Sequence, residues 1–445
     1  MRAFGILWIG QLVSMVGSAM AGFALTIWVW EQTGEATMLA LVTLFGVVPA
    51  VLVSLFAGAL VDRLDRKRLM IAGDTGTAVA ALLLLILLGS GELQLWHLFV
   101  SRIIAGACGM LQSLAFQASL TTMLPKHQYA RASGLMSLAR YGSSVGAPLL
   151  AGILLAPLGI AGILMIDLLT FLVAVTATAL IRVPTAEPHA DSAAQHFWAN
   201  ISFGFRYIFG RRPLFGLLVI VFLFNAFESL GYPLIAPMIL ARTDSSETIL
   251  GTVNAVMGLS GVVGGVLVSL WGGGRRKIHG VLIAVALTGL LGDALIGLGR
   301  GLGVWLIAAV GLECFIPLLI SSHDAIWQVK VPAAVQGRVF AARGLFYEAS
   351  SPISMIFSAL LADRVFEPAM QPGGALAPVF GGLVGTGAGA GYALLLVVCG
   401  LLCAATAISG YTIHSIRNIE TLLPDTQGEA RTPYELSHPP TSAAT

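Results

Sequence analysis

Long apolar runs, each closed by charge, proline or a glycine cluster, recur along the whole chain. They lie at about residues 6–29, 36–61, 69–90, 95–119, 131–156 and 158–182, then at about 213–240, 248–272, 278–299, 302–327, 338–363 and 388–413. A helix needs about 20 apolar residues to cross a hydrocarbon layer, so each run suffices for one crossing. The pattern predicts twelve spanning helices. Gly142–Ile166 and Val379–Ile413 contain no charged residue. Ala19-Met20-Ala21 has the form of a signal-peptidase site, but the apolar run continues to Trp30, so an uncleaved first helix is expected.

A polar gap from Val183 to Arg212 divides the runs into two sets of six. Residues 1–182 read as one six-helix bundle, 183–212 as a linker, 213–416 as a second bundle and 417–445 as a tail. In the linker, Phe197, Ile201, Phe205 and Ile208 recur at helical spacing, with Arg206, Arg211 and Arg212 nearby. That spacing predicts an amphipathic helix on the membrane surface. The tail after Asp425 is rich in Pro, Thr and Ser and is expected to be disordered.

Composition removes the soluble alternatives. Of 445 residues, 57% are apolar and 10% charged, against about 25% charged in an ordinary soluble domain. A folded interior grows too slowly with length to hide that apolar fraction from water. The net charge of +2 by itself says nothing about nucleic acid, and no nucleic-acid partner is expected. Cys108, Cys314, Cys399 and Cys403 all fall inside apolar runs and read as small buried hydrophobes, so neither a disulfide frame nor a metal or other cofactor is expected.

The placement of charge orients the chain, because cytoplasmic loops retain Lys and Arg. With the N-terminus inside, inner segments carry clusters such as Arg63, Arg66, Lys67 and Arg68, or Arg275, Arg276 and Lys277. Outer segments carry only Arg242, Arg300 and Arg364. Both termini are therefore expected in the cytoplasm, with the chain multi-pass in the cell (inner) membrane.

The two sets also repeat. Leu124-Pro125-Lys126-His127-Gln128-Tyr129-Ala130-Arg131 has a counterpart, 207 positions later, in Val331-Pro332-Ala333-Ala334-Val335-Gln336-Gly337-Arg338. Parallel six-helix repeats let two bundles rock about a site between them, which is a transporter architecture.

The loop after the second run reads Gly58-Ala59-Leu60-Val61-Asp62-Arg63-Leu64-Asp65-Arg66-Lys67-Arg68. Here the chain resembles the major facilitator superfamily, whose signature loop has the form G-x-x-x-D-R-x-G-R-R/K. Asp65 stands where glycine is usual. The resemblance covers essentially the whole chain and implies an all-α integral membrane fold of two pseudo-symmetric six-helix bundles. It also implies that Gly58, Asp62, Arg63, Arg66 and Lys67 form a conformational latch, with Arg338 or Arg343 at the base of the eleventh helix as partner to Asp62. On the residues alone, Gly58 permits close helix approach, Asp62 caps a helix end and the basic cluster faces anionic lipid.

Two further elements carry the likeness. Leu98-Phe99-Val100-Ser101-Arg102-Ile103-Ile104-Ala105-Gly106 is similar to the family's L-x-x-x-R-x-x-x-G element. Arg102, about two turns inside the layer, is open to three readings: a functional charge, a chain that snorkels outward, or a structural pair with Asp167. Gly142-Ser143-Ser144-Val145-Gly146-Ala147-Pro148-Leu149-Leu150-Ala151-Gly152 is similar to a Gly-Pro element that accompanies export by antiport in this superfamily. Gly142, Gly146, Pro148 and Gly152 also suit plain close packing of a bendable helix.

Intramembrane acids are functional candidates by default. Glu228 and Glu313 lie near the middle of the seventh and tenth runs, on helices that the resemblance places around the central cavity. They are the foremost proton carriers, with Arg102, Asp167 and Glu348 behind them. Asp74 reads as a partner of the basic loop, and Asp293 as part of an outer scaffold helix. Gln11, Met15, Phe224 and Asn225 sketch an apolar and amide cavity for an amphipathic ligand.

The expected function is secondary active export of a small amphipathic molecule by proton antiport. Within the superfamily the chain is similar to the exporter branch that includes macrolide-efflux and enterobactin-export proteins, chiefly through Ile326–Pro332 and Gln336–Phe340. A facilitator or importer remains the nearest alternative, and a transporter-like membrane sensor the alternative from another class. No catalytic cluster of the H-E-x-x-H or G-x-S-x-G kind appears, so an enzyme is not expected, and the lack of a Walker A loop excludes ATP-driven pumping by this chain. The expected partners are the substrate, protons and the bilayer, with the chain acting as a monomer.

Overall fold

Hydrocarbon supplies no hydrogen-bond partner, so an apolar chain within it satisfies its backbone as helix. The computed structural model describes residues 2–123, 129–181, 197–271, 274 and 276–425. Within these, it leaves out the side chains at 2–3, 55–63, 120–122, 129–134, 137–138, 140–141, 144–145, 197–201, 333–334, 341, 348–349 and 359. The described residues form helices joined by short connections, with no strand among them.

The first bundle comprises α1 (Arg2–Thr33), α2 (Ala36–Arg63), α3 (Arg66–Gly89), α4 (Leu95–Met123) and α5 (Tyr129–Leu180). At 52 residues, α5 would reach about 78 Å if straight, more than twice a hydrocarbon layer of about 30 Å. Gly159, at φ 63° and ψ −179°, breaks it into two crossings in a conformation that only glycine adopts without strain. Among the described residues, the eleven apolar helices long enough to span a membrane therefore make twelve crossings, as expected.

The amphipathic helix α6 (Phe197–Phe209) precedes the second bundle. There the helices are less regular. The seventh crossing is α7 (Arg212–Gly231) continued by a 3-10 turn into α8 (Ile235–Arg242), and the eighth is α9 (Glu247–Trp271). The ninth joins α10 (Lys277–Leu287) to α11 (Leu295–Leu298) through a π-helical segment, Thr288–Ala294. The tenth breaks between α12 (Leu302–Cys314) and α13 (Ile316–Lys330). The eleventh is α14 (Ala333–Leu361), a second π-helical segment at Ala362–Phe366, and α15 (Glu367–Met370). A short helix α16 (Ala377–Val384) leads into the twelfth, α17 (Ala390–Thr412).

Three apolar cores show how the halves meet. One is shared: Phe23, Ile27 and Trp30 of α1 and Leu155 of α5 pack with Met238, Leu250, Trp305 and Tyr392 of the second bundle. It lies at the end opposite the basic loops. Toward the basic loops the cores separate, with Phe4, Leu7, Met70 and Phe116 in the first bundle and Leu217, Ile278, Trp327 and Val339 in the second. The cleft between the bundles is thus sealed at one end.

Glycine enables that seal. A Cβ on Gly251 of α9 would stand 2.9 Å from the Pro148 carbonyl oxygen, and one on Gly152 would stand 3.9 Å from the Gly251 Cα. The Gly-Pro stretch of α5 therefore makes the close crossing between bundles, while Gly142 is exposed and Gly146 has open space where a Cβ would point.

Two expectations need revision. The helix α6 does not simply lie on a membrane surface: Ile208 is fully buried, Gly204 abuts the Arg338 backbone and Ala342, and Phe205 meets Phe346 edge-on. The segment 417–445, read as a tail, is anchored to the second bundle over its first residues, because Ile419 is buried and Glu420 accepts hydrogen bonds from the Lys277 and Ile278 N–H groups that open α10. Lys330 adds bonds to the Glu420 and Leu423 carbonyls and the Asp425 carboxylate. Residues 426–445 lie outside the described ones.

A Gly251→Val chain should lose the seal, because the added branch has no room against Pro148. In a background lacking the native cysteines, Met238→Cys, buried in the shared core, should resist a thiol reagent in the parent and react in the Gly251→Val variant.

Candidate functional site

Between the bundles lies a cavity of about 810 Å³, near the upper end of the roughly 300–1,000 Å³ typical of small-molecule sites. Ala19, Phe23, Leu39, Val47, Leu250 and Met257 give it an apolar wall, and Thr26, Thr43, Asn254 and Ser351 add polar groups. Glu228 and Glu313 both line it, and no Lys or Arg is among its described lining residues. An apolar chamber with two acids and no fixed cation suits an amphipathic ligand carrying positive charge.

Both acids stand at breaks in their helices. Pro233 lacks the N–H that would bond the Ser229 carbonyl, and α7 gives way to the 3-10 turn at Tyr232. Pro317 likewise lacks the donor for the Glu313 carbonyl, and α12 ends at Cys314. Broken helices expose backbone polar groups to a cavity and are the usual framework of a transporter site. The spacing of Glu228 and Glu313 ahead of these prolines is a sequence signal the apolar pattern alone does not weigh.

Behind the wall, Glu228 meets Asp293, which the sequence assigned to outer scaffold. The π-helical segment carries Asp293 inward with no solvent exposure. A carboxylate oxygen of Glu228, one of Asp293 and the Cys403 Sγ all lie within 4.8 Å of one another.

The expected cavity residues stand elsewhere. Gln11 is buried and donates to Asp74 Oδ2 at 3.1 Å, so Asp74 is tied to α1 and not to the basic loop. Phe224 is buried in the core of the second bundle. Asn225 donates to the Val221 carbonyl of its own helix. Met15 is partly exposed and does not line the cavity. Residues one to two turns further along α1, Ala19 and Phe23, line it instead.

Arg102 packs its guanidinium beside Gly22 and the base of its side chain beside Gly46, and it feels the charge of Asp167. Asp167 also accepts from Ser18 Oγ at 3.0 Å.

In the basic loop, Asp65 is the cap: its carboxylate accepts from the Lys67 and Arg68 N–H groups at the start of α3. Arg66 donates to the Ala118 carbonyl, and Lys67 to those of Ala179 and Ile181, which fastens α3 to neighbours within its own bundle. Arg343 pairs with Asp324 at 3.0 Å. Beside that pair, His323 Nε2 lies 2.8 Å from both Tyr347 Oη and Trp327 Nε1. The side chains of Asp62, Arg63 and Glu348 and the surroundings of Gly58 lie outside the described residues.

A tie the sequence did not suggest holds the sealed end. Asp363, in the second π-helical segment, accepts from the Ala36 and Thr37 N–H groups that open α2, at 3.2 and 2.6 Å, and from Tyr392 Oη at 2.8 Å. A carboxylate of one bundle thus caps a helix of the other, where the helix dipole favours negative charge. Trp30 meets Tyr392 edge-on at 6.3 Å alongside.

The sequence of residues 7–355 matches the family model described as the Major Facilitator Superfamily. The chain belongs to the major facilitator superfamily. Macrolide efflux protein A of Streptococcus pyogenes is 26% identical over 370 residues, covering 81% of this chain and 90% of that protein. Its namesake from Enterococcus faecalis is 24% identical over 330 residues, covering 72% of this chain and all of that protein. Among solved structures, the nucleoside transporter NupG superposes with a TM-score of 0.68 at 15% identity, covering 93% of this chain and all of NupG. A bacterial homologue of the iron transporter ferroportin, in an inward-facing state, superposes with a TM-score of 0.64 at 17% identity, covering 92% and 98%. This superfamily member is thus a multi-pass membrane transporter of small molecules.

Asp363→Asn should loosen the sealed end while keeping the shape of the side chain. Loss of a charge-assisted hydrogen bond costs about 1.5–3 kcal/mol, or roughly ten- to hundredfold in the balance between sealed and open forms. Spin labels on the first turn of α2 and on α15 should report a longer, broader distance distribution in the variant.

Proposed function

We propose that this transporter exports amphipathic molecules bearing a basic amine, macrolides among them, by exchange for protons. The observation that carries this reading is the cavity itself: apolar walls, two acids, no Lys or Arg among its described lining residues, and a seal at one end. Similarity to the macrolide efflux proteins supports the direction and the ligand class. The excess of Lys and Arg at the unsealed end supports placing that end, and both termini, in the cytoplasm. The sealed end then faces out, and substrate enters from the cytoplasm.

Alternating access follows from the two kinds of contact. Opening outward requires release of the Asp363 cap and parting of the shared core. Closure at the other end would bring the basic loop and Asp62 toward the base of α14, where Arg343 can exchange Asp324 for a new partner. Glu228 and Glu313 are the proton carriers in this scheme. A cationic substrate favours their ionised forms, and protons from outside restore the neutral forms and displace it. That competition is the coupling an antiporter needs.

Neutralising the essential acid, Glu228→Gln or Glu313→Gln, should abolish uphill macrolide export driven by a pH gradient in proteoliposomes. Counterflow exchange, which moves no net proton, should persist. Full gradient-driven export by both variants would place coupling elsewhere. In intact cells lacking the native cysteines, Pro372→Cys should react with an impermeant maleimide and Arg275→Cys should not; the reverse would invert the orientation.

A further inference from the structure

Glu228 and Asp293 form a contact that the cavity does not require. Asp293 has no solvent exposure and does not line the cavity, and neither of its oxygens has a hydrogen-bond donor among the described residues apart from a carboxylic proton. Glu228 Oε1 is buried and equally unpartnered, and a carboxyl oxygen of each residue lies within 4.8 Å of the other.

Among the described residues, the titratable groups facing the pair come from three elements. They are Tyr232 beyond α7, Glu313 of α12, and Cys399 and Cys403 of α17. None is a cation, and no ion pair to Glu228 or Asp293 occurs among the described residues.

The backbone is adapted to the contact. A π-helical turn, often found at functional positions, sets Asp293 toward α7. Gly289 and Gly400 bring the ninth and twelfth crossings together around it, since a Cβ on Gly400 would stand within van der Waals overlap of the Gly289 backbone. Two bare carboxylates so placed repel strongly in a medium of low dielectric constant. A single proton between them removes the repulsion and completes the missing hydrogen bond.

We propose that Glu228 and Asp293 are one proton-binding unit, holding a single proton between two carboxyl groups, in which Asp293 sets the pH at which Glu228 exchanges that proton with the cavity. The unit passes between a monoanion and a dianion, and the proton leaves through Glu228, the member that reaches cavity water. Its part in transport rests on the proton-coupled reading above; its existence does not. Asp293 is a positioning residue, because it acts on the cavity only through Glu228.

Infrared difference titration of the full chain in lipid nanodiscs tests the unit directly, through the stretching band of protonated carboxyl groups. In Asp293→Asn, Glu228 loses its proton to leave one charge beside an amide, and its band should vanish about two pH units lower than in the parent. Glu228→Gln should move the Asp293 band in the same direction, and Cys403→Ala should leave the pair's band in place. Should Asp293→Asn fail to fold, Glu228→Gln reads the same coupling, and Asp293→Glu should retain the parent titration. An unchanged Glu228 band without the Asp293 carboxyl would overturn the proposal. So would loss of the parent's band on adding equimolar zinc, if Cys403→Ala prevents that loss, because the three residues would then be a metal site. Macrolide export in Glu228→Gln and Glu313→Gln reports separately on proton coupling, and its failure leaves the infrared result standing.

Discussion

Hydrocarbon neither accepts nor donates a hydrogen bond, and this limit governs the whole molecule. Wherever the backbone leaves regular helix within the membrane, the freed groups need a partner in the protein or access to a water-filled space. The irregular places are accordingly few, and they coincide with chemistry. Proline breaks the seventh and tenth crossings beside Glu228 and Glu313. A π-helical segment carries Asp293 in the ninth crossing, and another carries Asp363 in the eleventh. Among the described residues the first bundle, apart from the turn at Gly159, stays regular.

That asymmetry divides the labour between the bundles. The second holds the acids and the broken helices. The first supplies an apolar face to the cavity through Ala19, Phe23, Leu39 and Val47, and keeps its own buried charges in local arrangements such as Gln11 with Asp74 and Ser18 with Asp167. In the exchange proposed above, movement between states would demand little inside either bundle. It would be concentrated in the contacts between them, namely the shared core, the Gly152–Gly251 crossing and the Asp363 cap.

The hydrogen-bonded capping of α2 by Asp363 is weak enough to be reversible and directional enough to define a closed position. A purely apolar seal of the same size would part at a cost set by area alone. A carboxylate on a helix N-terminus adds a contact that is made fully or lost, which would sharpen the two states of the proposed exchange.

The sequence by itself determined the crossings, because a run of about 20 apolar residues has one stable fate in a membrane. It also determined the halves and the family, through the polar gap, the repeat and the loop from Gly58 to Arg68. It singled out Glu228 and Glu313, since an acid in an apolar run is conspicuous. It misplaced Gln11, Phe224 and Asn225, because helical spacing sets which residues share a face but leaves open which neighbour that face meets. It also passed over Asp293 and Asp363, whose importance depends on contacts with residues distant along the chain. Only the tertiary structure could decide those: Asp293 matters because packing of the ninth crossing brings it to Glu228, and Asp363 because the opposite bundle ends a helix there. Burial energy reads composition along the chain, whereas a carboxylate's role depends on what stands within a few ångströms of it, and that distance is a property of the fold.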